Sequence, residues 1–159
     1  MIIDLAVAFI ADLLVIPVVL IGAWVMLRLP RNVLYQRLAR AFVTGLTAVL
    51  FAKIASLLYQ GERPFVTLGT EPKAAYLNNP GFPSDHTLLV FTITFVVWAS
   101  TKNRKLTGIL LLLSSLVALG RVLALVHTPA DVAGGIICAL LAALLWYGPA
   151  IFSRHLRKT

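Results

Sequence analysis

Residues 2–27 read IIDLAVAFIADLLVIPVVLIGAWVML, and this run decides the fold. Asp4 and Asp12 are its only charged residues. About 20 apolar residues suffice for a helix to cross the hydrocarbon core of a bilayer. Working outward, further apolar runs lie at roughly 39–59, 86–101, 106–126 and 131–152. The run at 86–101 is short, so either it begins below the membrane surface or the bilayer thins around it. Composition agrees: 60% of residues are hydrophobic, mean hydropathy is +0.92, and the 13% charged content is well below the usual share. The expected fold is all-α, a polytopic transmembrane helical bundle of about five spanning helices forming a single domain over 1–159. The chain starts apolar without a basic leader, so the first run is expected to be a span and not a cleavable signal. Cys138, the only cysteine, cannot form an internal disulfide and reads as a small packing residue.

The net charge of +8 could suggest nucleic acid, but its distribution excludes that reading. Arg28, Arg31, Arg37 and Arg40 follow the first span, Lys102, Arg104 and Lys105 follow the third, and Arg154, Arg157 and Lys158 close the chain. In a five-span arrangement these all fall on one side. The acids Asp4, Asp12, Glu62, Glu71, Asp85 and Asp131 all lie elsewhere. The excess of Lys and Arg places that side in the cytoplasm, with the N-terminus outside the plasma membrane and the C-terminus inside. Trp24, Trp98 and Trp146 fall near the cytoplasmic helix ends, as interfacial anchors do. The basic surplus can also meet anionic lipid.

Three polar islands interrupt the apolar background: ERPF at 62–65, FPSDHT at 82–87 and GRVLALVHTPAD at 120–131. All belong to the outer face, in the loop at 60–85, the turn at 122–130 and the adjoining helix ends. Polar groups near lipid are costly and mark function. Ser84 precedes a helix starting near Asp85, where it can cap free N–H groups, and those groups with the helix dipole form an anion site. His86 in the first turn can donate a proton to a leaving oxygen. Thr128-Pro129-Ala130-Asp131 reads as an N-cap, a proline at the first helical position and an acid three residues after the cap. His127 lies four residues before Asp131, which can cap the helix or hold one ring nitrogen so that the other is free as a nucleophile. Arg63 and Arg121 supply forks suited to phosphate oxygens. Lys53, inside the outer end of the second span, is a phosphate contact or the partner of an acid, and Asp12 is its expected structural partner. Tyr59 and Tyr76 read as interface residues, and His155 as solvated in the tail. The inventory suits gripping a phosphate and attacking it with an imidazole.

These islands resemble the type 2 phosphatidic acid phosphatase superfamily, whose pattern is Lys-x6-Arg-Pro, Pro-Ser-Gly-His and Ser-Arg-x5-His-x3-Asp. Arg63-Pro64 matches the end of the first motif, and Pro83-Ser84-Asp85-His86 the second with Asp85 in place of glycine. Arg121, His127 and Asp131 match the third in both spacings, with Gly120 in place of serine. The first motif departs most: Ser56 stands seven before Arg63, and Lys53 lies three residues earlier. The RPF and FPSDHT variants look like the undecaprenyl-diphosphatase branch. The resemblance implies catalysis by His127, His86 and Asp131, with Lys53, Arg63, Ser84 and Arg121 binding substrate and neither metal nor cofactor required. It implies hydrolysis of undecaprenyl diphosphate to undecaprenyl phosphate and inorganic phosphate through a phosphohistidine. A phosphatase for phosphatidylglycerophosphate or phosphatidic acid is the alternative, and a non-catalytic lipid-binding or transport protein a lesser one.

Overall fold

The computed structural model describes residues 2–76 and 81–152. Its elements are α1 (Ile2–Ala8), a π-helical turn (Phe9–Leu13), α2 (Val15–Leu27), α3 (Arg31–Leu58), the short α4 (Pro64–Thr67), α5 (Asp85–Thr101), α6 (Arg104–Leu123) and α7 (Pro129–Phe152). No strand occurs among the described residues. Ile2–Leu27, Arg31–Leu58, Arg104–Leu123 and Pro129–Gly148 are each long and apolar enough to cross a membrane. With the shorter α5 they make the multi-pass helical bundle that hydropathy predicts. The second helix starts at Arg31 and not near 39, because Pro30 precedes it in an extended conformation and the basic turns from Arg31 to Arg40 extend it beyond its apolar part. His155 and the basic tail at 154–158 lie outside the described residues.

The 17 residues of α5 span only about 26 Å at 1.5 Å per residue, short of a hydrocarbon core of about 30 Å. Its position explains how this is tolerated. Packed against α2, α3, α6 and α7, α5 is the central helix, with Leu88, Val90, Phe91, Val96 and Val97 buried. Its neighbours present the apolar exterior, including Leu20, Leu46, Leu112, Ile137 and Leu145. Lipid tails are as apolar as these side chains, so packing and interhelical hydrogen bonds must hold the bundle together. Between α5 and α6, Thr94 Oγ1 and Ser114 Oγ are 2.9 Å apart, and Ser114 Oγ donates to the Val90 carbonyl at 3.2 Å.

Two close approaches set the end of the bundle that carries the polar islands. At the first, Ser84 N–H donates to the Asp131 carbonyl at 3.0 Å, joining the start of α5 to the start of α7. Gly135 permits it, since a Cβ there would lie 2.9 Å from the Ser84 carbonyl oxygen and 3.1 Å from Leu88 N. At the second, Gly120 of α6 meets the π-helical turn, where a Cβ would lie 2.8 Å from Ala11 N. Pro17 accounts for the irregularity in the first span. It cannot donate to the Leu13 carbonyl and its ring crowds that group, so the regular ladder breaks one turn earlier. Leu14 N–H instead reaches back five residues to Phe9.

The Gly135 contact gives a stability prediction. Gly135→Val forces apart two backbones, and overpacking of this kind costs about 1–3 kcal/mol. Thermal unfolding of the detergent-solubilised variant should show a lowered midpoint; an unchanged midpoint would mean that the two helix starts are not closely joined.

Candidate active site

The three polar islands converge. Arg63, Ala75, Tyr76, Asp85, His86, Arg121 and His127 line one pocket of about 150 Å³. His86 enters from the first turn of α5, Arg121 from the last turn of α6, and His127 from the turn between α6 and α7. That turn passes through Leu125, whose φ of 62° is a left-handed conformation uncommon for a residue with a side chain. The loop that follows α3 holds it in place: Phe65 N–H donates to the Leu125 carbonyl at 3.0 Å, Lys73 N–H to Ala124 at 3.1 Å, and Arg63 Nη1 to Val126 at 2.7 Å. Backbone strain of this sort persists where surrounding contacts over-determine it, and it gathers at functional sites.

His127 and Asp131 are both almost fully buried. Asp131 Oδ2 accepts the Thr128 N–H at 2.7 Å, while Asp131 N–H donates to Thr128 Oγ1 at 3.1 Å. This reciprocal pair is the capping box read from the sequence. The same Oδ2 lies 3.6 Å from His127 Nδ1, which has no hydrogen-bond partner among the described residues. The carboxylate thus caps α7 and faces the imidazole at once. The gap exceeds a hydrogen bond, and hydrogen bonds in sites without substrate are often long.

Arg63 is buried, with its guanidinium 5.6 Å from the Tyr76 ring centre. Burial lowers its pKa from the usual arginine value, and the nearby Asp131 and Asp85 carboxylates oppose that shift. Tyr76 therefore belongs to the pocket wall and is more than an interface residue. Arg121 is 1% exposed, and its Nη1 donates to Asp12 Oδ1 at 2.5 Å.

Two expectations are corrected here. Asp12 pairs with Arg121 and not with Lys53: a fully buried guanidinium needs a counter-charge, whereas Lys53 is exposed and can carry its ammonium to water. Ser84 occupies the N-cap position of α5, but its side chain makes no capping bond. Its hydroxyl is buried and accepts from Thr87 Oγ1 at 3.1 Å. Ser84 does not line the pocket, and its backbone supplies the α5–α7 contact instead. Lys53 lines a neighbouring recess of about 160 Å³ with Ser56, Gln60, Phe82, Pro83 and Asp85. Asp85 borders both spaces. Asp12 and Asp85 are the site residues the sequence reading missed. Pro17, five residues past an intramembrane acid, was the available signal that Asp12 sits at an irregular turn.

The PAP2 superfamily model matches residues 37–151, a stretch holding Arg63, Ser84, His86, Arg121, His127 and Asp131. The chain belongs to the PAP2 superfamily. It is 34% identical over 119 residues to the bacitracin transport permease protein BcrC of Bacillus licheniformis, covering 72% of this chain and 57% of that one. It is also 27% identical over 117 residues to the undecaprenyl-diphosphatase BcrC of Bacillus subtilis strain 168, covering 74% and 57% respectively. The alignments thus span little more than half the length of these curated relatives. No solved structure gives a significant match.

The capping box yields a second prediction. Thr128→Ala removes the hydroxyl that receives Asp131 N–H and should cost about 1 kcal/mol of stability, as cap losses typically do. An equilibrium unfolding measurement showing no loss would mean that the start of α7 is held by other contacts.

Proposed function

We propose that this protein is a membrane lipid phosphatase that hydrolyses undecaprenyl diphosphate to undecaprenyl phosphate and inorganic phosphate. One observation carries the reading: two imidazoles and two guanidiniums line a single small pocket, and one imidazole nitrogen faces a buried carboxylate. His127 Nδ1 is turned to Asp131, which leaves Nε2 to attack the terminal phosphorus. An N–P bond forms as the P–O bond to the lipid phosphate breaks, and His86 gives its proton to the departing oxygen. Water then attacks the phosphohistidine, losing a proton to His86, and the N–P bond breaks to release inorganic phosphate. Arg63 and Arg121 offset the charge that gathers on the phosphoryl oxygens in both transition states. Lys53, in the adjoining recess that Asp85 also lines, is assigned to the second phosphate of the diphosphate. Ser84 acts through its backbone, by keeping His86 beside His127.

The outward orientation of this site rests on the basic residues at the opposite helix ends. The pyrophosphate headgroup is supported by the name of the Bacillus subtilis relative and by Lys53 in the recess beside the pocket. The tail is supported by an apolar groove of about 380 Å³ between α3 and α5. Phe42, Leu46, Val49, Leu88 and Leu89 line it, with Asp85 at the end shared with the catalytic pocket. The Bacillus licheniformis relative carries a transport name, and a chain that only carried lipid would keep its function without His127.

The test is phosphate release by detergent-purified protein in the presence of EDTA. Undecaprenyl diphosphate, phosphatidylglycerophosphate and phosphatidic acid would be compared side by side. Undecaprenyl diphosphate should be preferred, and His127→Ala should lower kcat by about 10³-fold or more, the scale of losing a nucleophile. Preference for a glycerolipid would keep the chemistry and replace the substrate. Release undiminished in the His127 variant would remove the imidazole from the reaction.

The groove is tested separately at Gly45, which lines it and has nothing within 4 Å of where a Cβ would stand. Gly45→Trp should raise KM for undecaprenyl diphosphate about tenfold while leaving a short-chain prenyl diphosphate unaffected. Equal effects on both substrates would place the tail elsewhere.

A further inference from the structure

Asp12 has no part in the chemistry set out above, yet it touches three walls of the pocket. Its Oδ1 accepts from Arg121 Nη1 and lies 3.8 Å from His86 Nε2, and its Oδ2 accepts the Ala75 N–H at 2.9 Å. Arg121, His86 and Ala75 all line the pocket. We propose that Asp12 is an internal counter-ion of this pocket, a carboxylate that shares the Arg121 fork with the phosphoryl group and holds down the affinity for inorganic phosphate. The inference rests on the phosphatase reading and adds to it a residue that governs product release.

Charge balance supports the role. Arg63 and Arg121 both face the small pocket, with His86 and His127 beside them and Asp85 at its edge. Arg121 is 1% exposed, and its Nε has no hydrogen-bond partner among the described residues. One edge of the guanidinium is therefore committed to Asp12, while Nε remains a donor without an acceptor. A phosphate taken up by Arg121 would sit close to the Asp12 carboxylate in a poorly screened environment, where like charges repel strongly. Affinity for the small anion would be lowered, while a lipid diphosphate keeps the extra contacts of its tail and second phosphate.

The carboxylate is also built into place. The π-helical turn at Phe9–Leu13, which Pro17 accounts for, carries Asp12, and π-turns frequently mark functional sites. Gly120, directly before Arg121, lets that turn approach α6 at backbone distance. Asp4 holds the same stretch of outer loop through Lys73 Nζ at 2.8 Å, two residues before Ala75. The family match begins at residue 37, so the first-helix side of this arrangement, Asp12 included, lies outside it.

Asp12→Asn keeps the shape and the acceptor oxygen but removes the charge. Inorganic phosphate binding would be measured by titration calorimetry on the full chain in detergent, alongside inhibition of turnover by phosphate. Asp12→Asn should bind phosphate about tenfold more tightly, equivalent to about 1.4 kcal/mol, with inhibition strengthened to match. The gain should vanish when Arg121→Gln is also present. A residue that merely braced the pocket would move binding the other way, so unchanged or weaker binding overturns the proposal. Gly120→Ala, which pushes the π-helical turn off α6, should also tighten phosphate binding, and it decides the matter should Asp12→Asn not fold. Wild-type protein that neither binds nor releases phosphate would instead sink the phosphatase reading beneath it.

Discussion

The hydrogen bond from Ser84 N–H to the Asp131 carbonyl is the contact on which the rest of the site depends. It joins the first residues of two helices that stay packed against each other into the bundle, and it does so at the level of His86 and His127. A side-chain contact at that point could shift with a rotamer. A backbone contact cannot, and the absence of a Cβ at Gly135 makes it possible. The histidines are therefore set by main-chain geometry, and their rings inherit a fixed spacing from helices that are themselves buried on several sides.

The α6–α7 turn shows the same principle applied to a loop. A leucine in left-handed conformation, a buried histidine and a buried carboxylate would each be costly alone. Three hydrogen bonds from the loop at 60–76 to consecutive carbonyls at 124–126 keep that turn in shape. The loop at 60–76 thus acts as a bracket for His127 and contributes Arg63 and Tyr76 to the pocket through the same contacts. Its Pro64 is suited to this work, because a short helix starting there directs the preceding arginine inward.

Much of this was legible in the chain. Apolar run lengths gave the bundle, Thr128-Pro129-Ala130-Asp131 gave the α7 capping box, and the four-residue step from His127 to Asp131 put the imidazole beside its acid. The Pro-Ser-x-His run correctly placed His86 in the first turn of a helix. What escaped was the pairing between distant helices. Asp12 and Lys53 read as natural partners because both are charges inside apolar runs, but burial decides which cation needs a carboxylate, and burial has no linear signature. Ser84 was misjudged for a related reason: an N-cap position is visible in sequence, while the neighbour that claims the hydroxyl, Thr87, depends on which way the helix turns inward.

The contact between Gly120 and the backbone at Ala11 has an evolutionary consequence. A larger residue at 120 would require the irregular first helix to stand further from α6, so the two features constrain each other. An α6 carried into a relative with a straight first helix would leave a guanidinium facing a gap, and a bulged helix carried the other way would collide with a side chain. The residues before 37 are in this sense part of how the pocket is built, although the family match lies entirely after them.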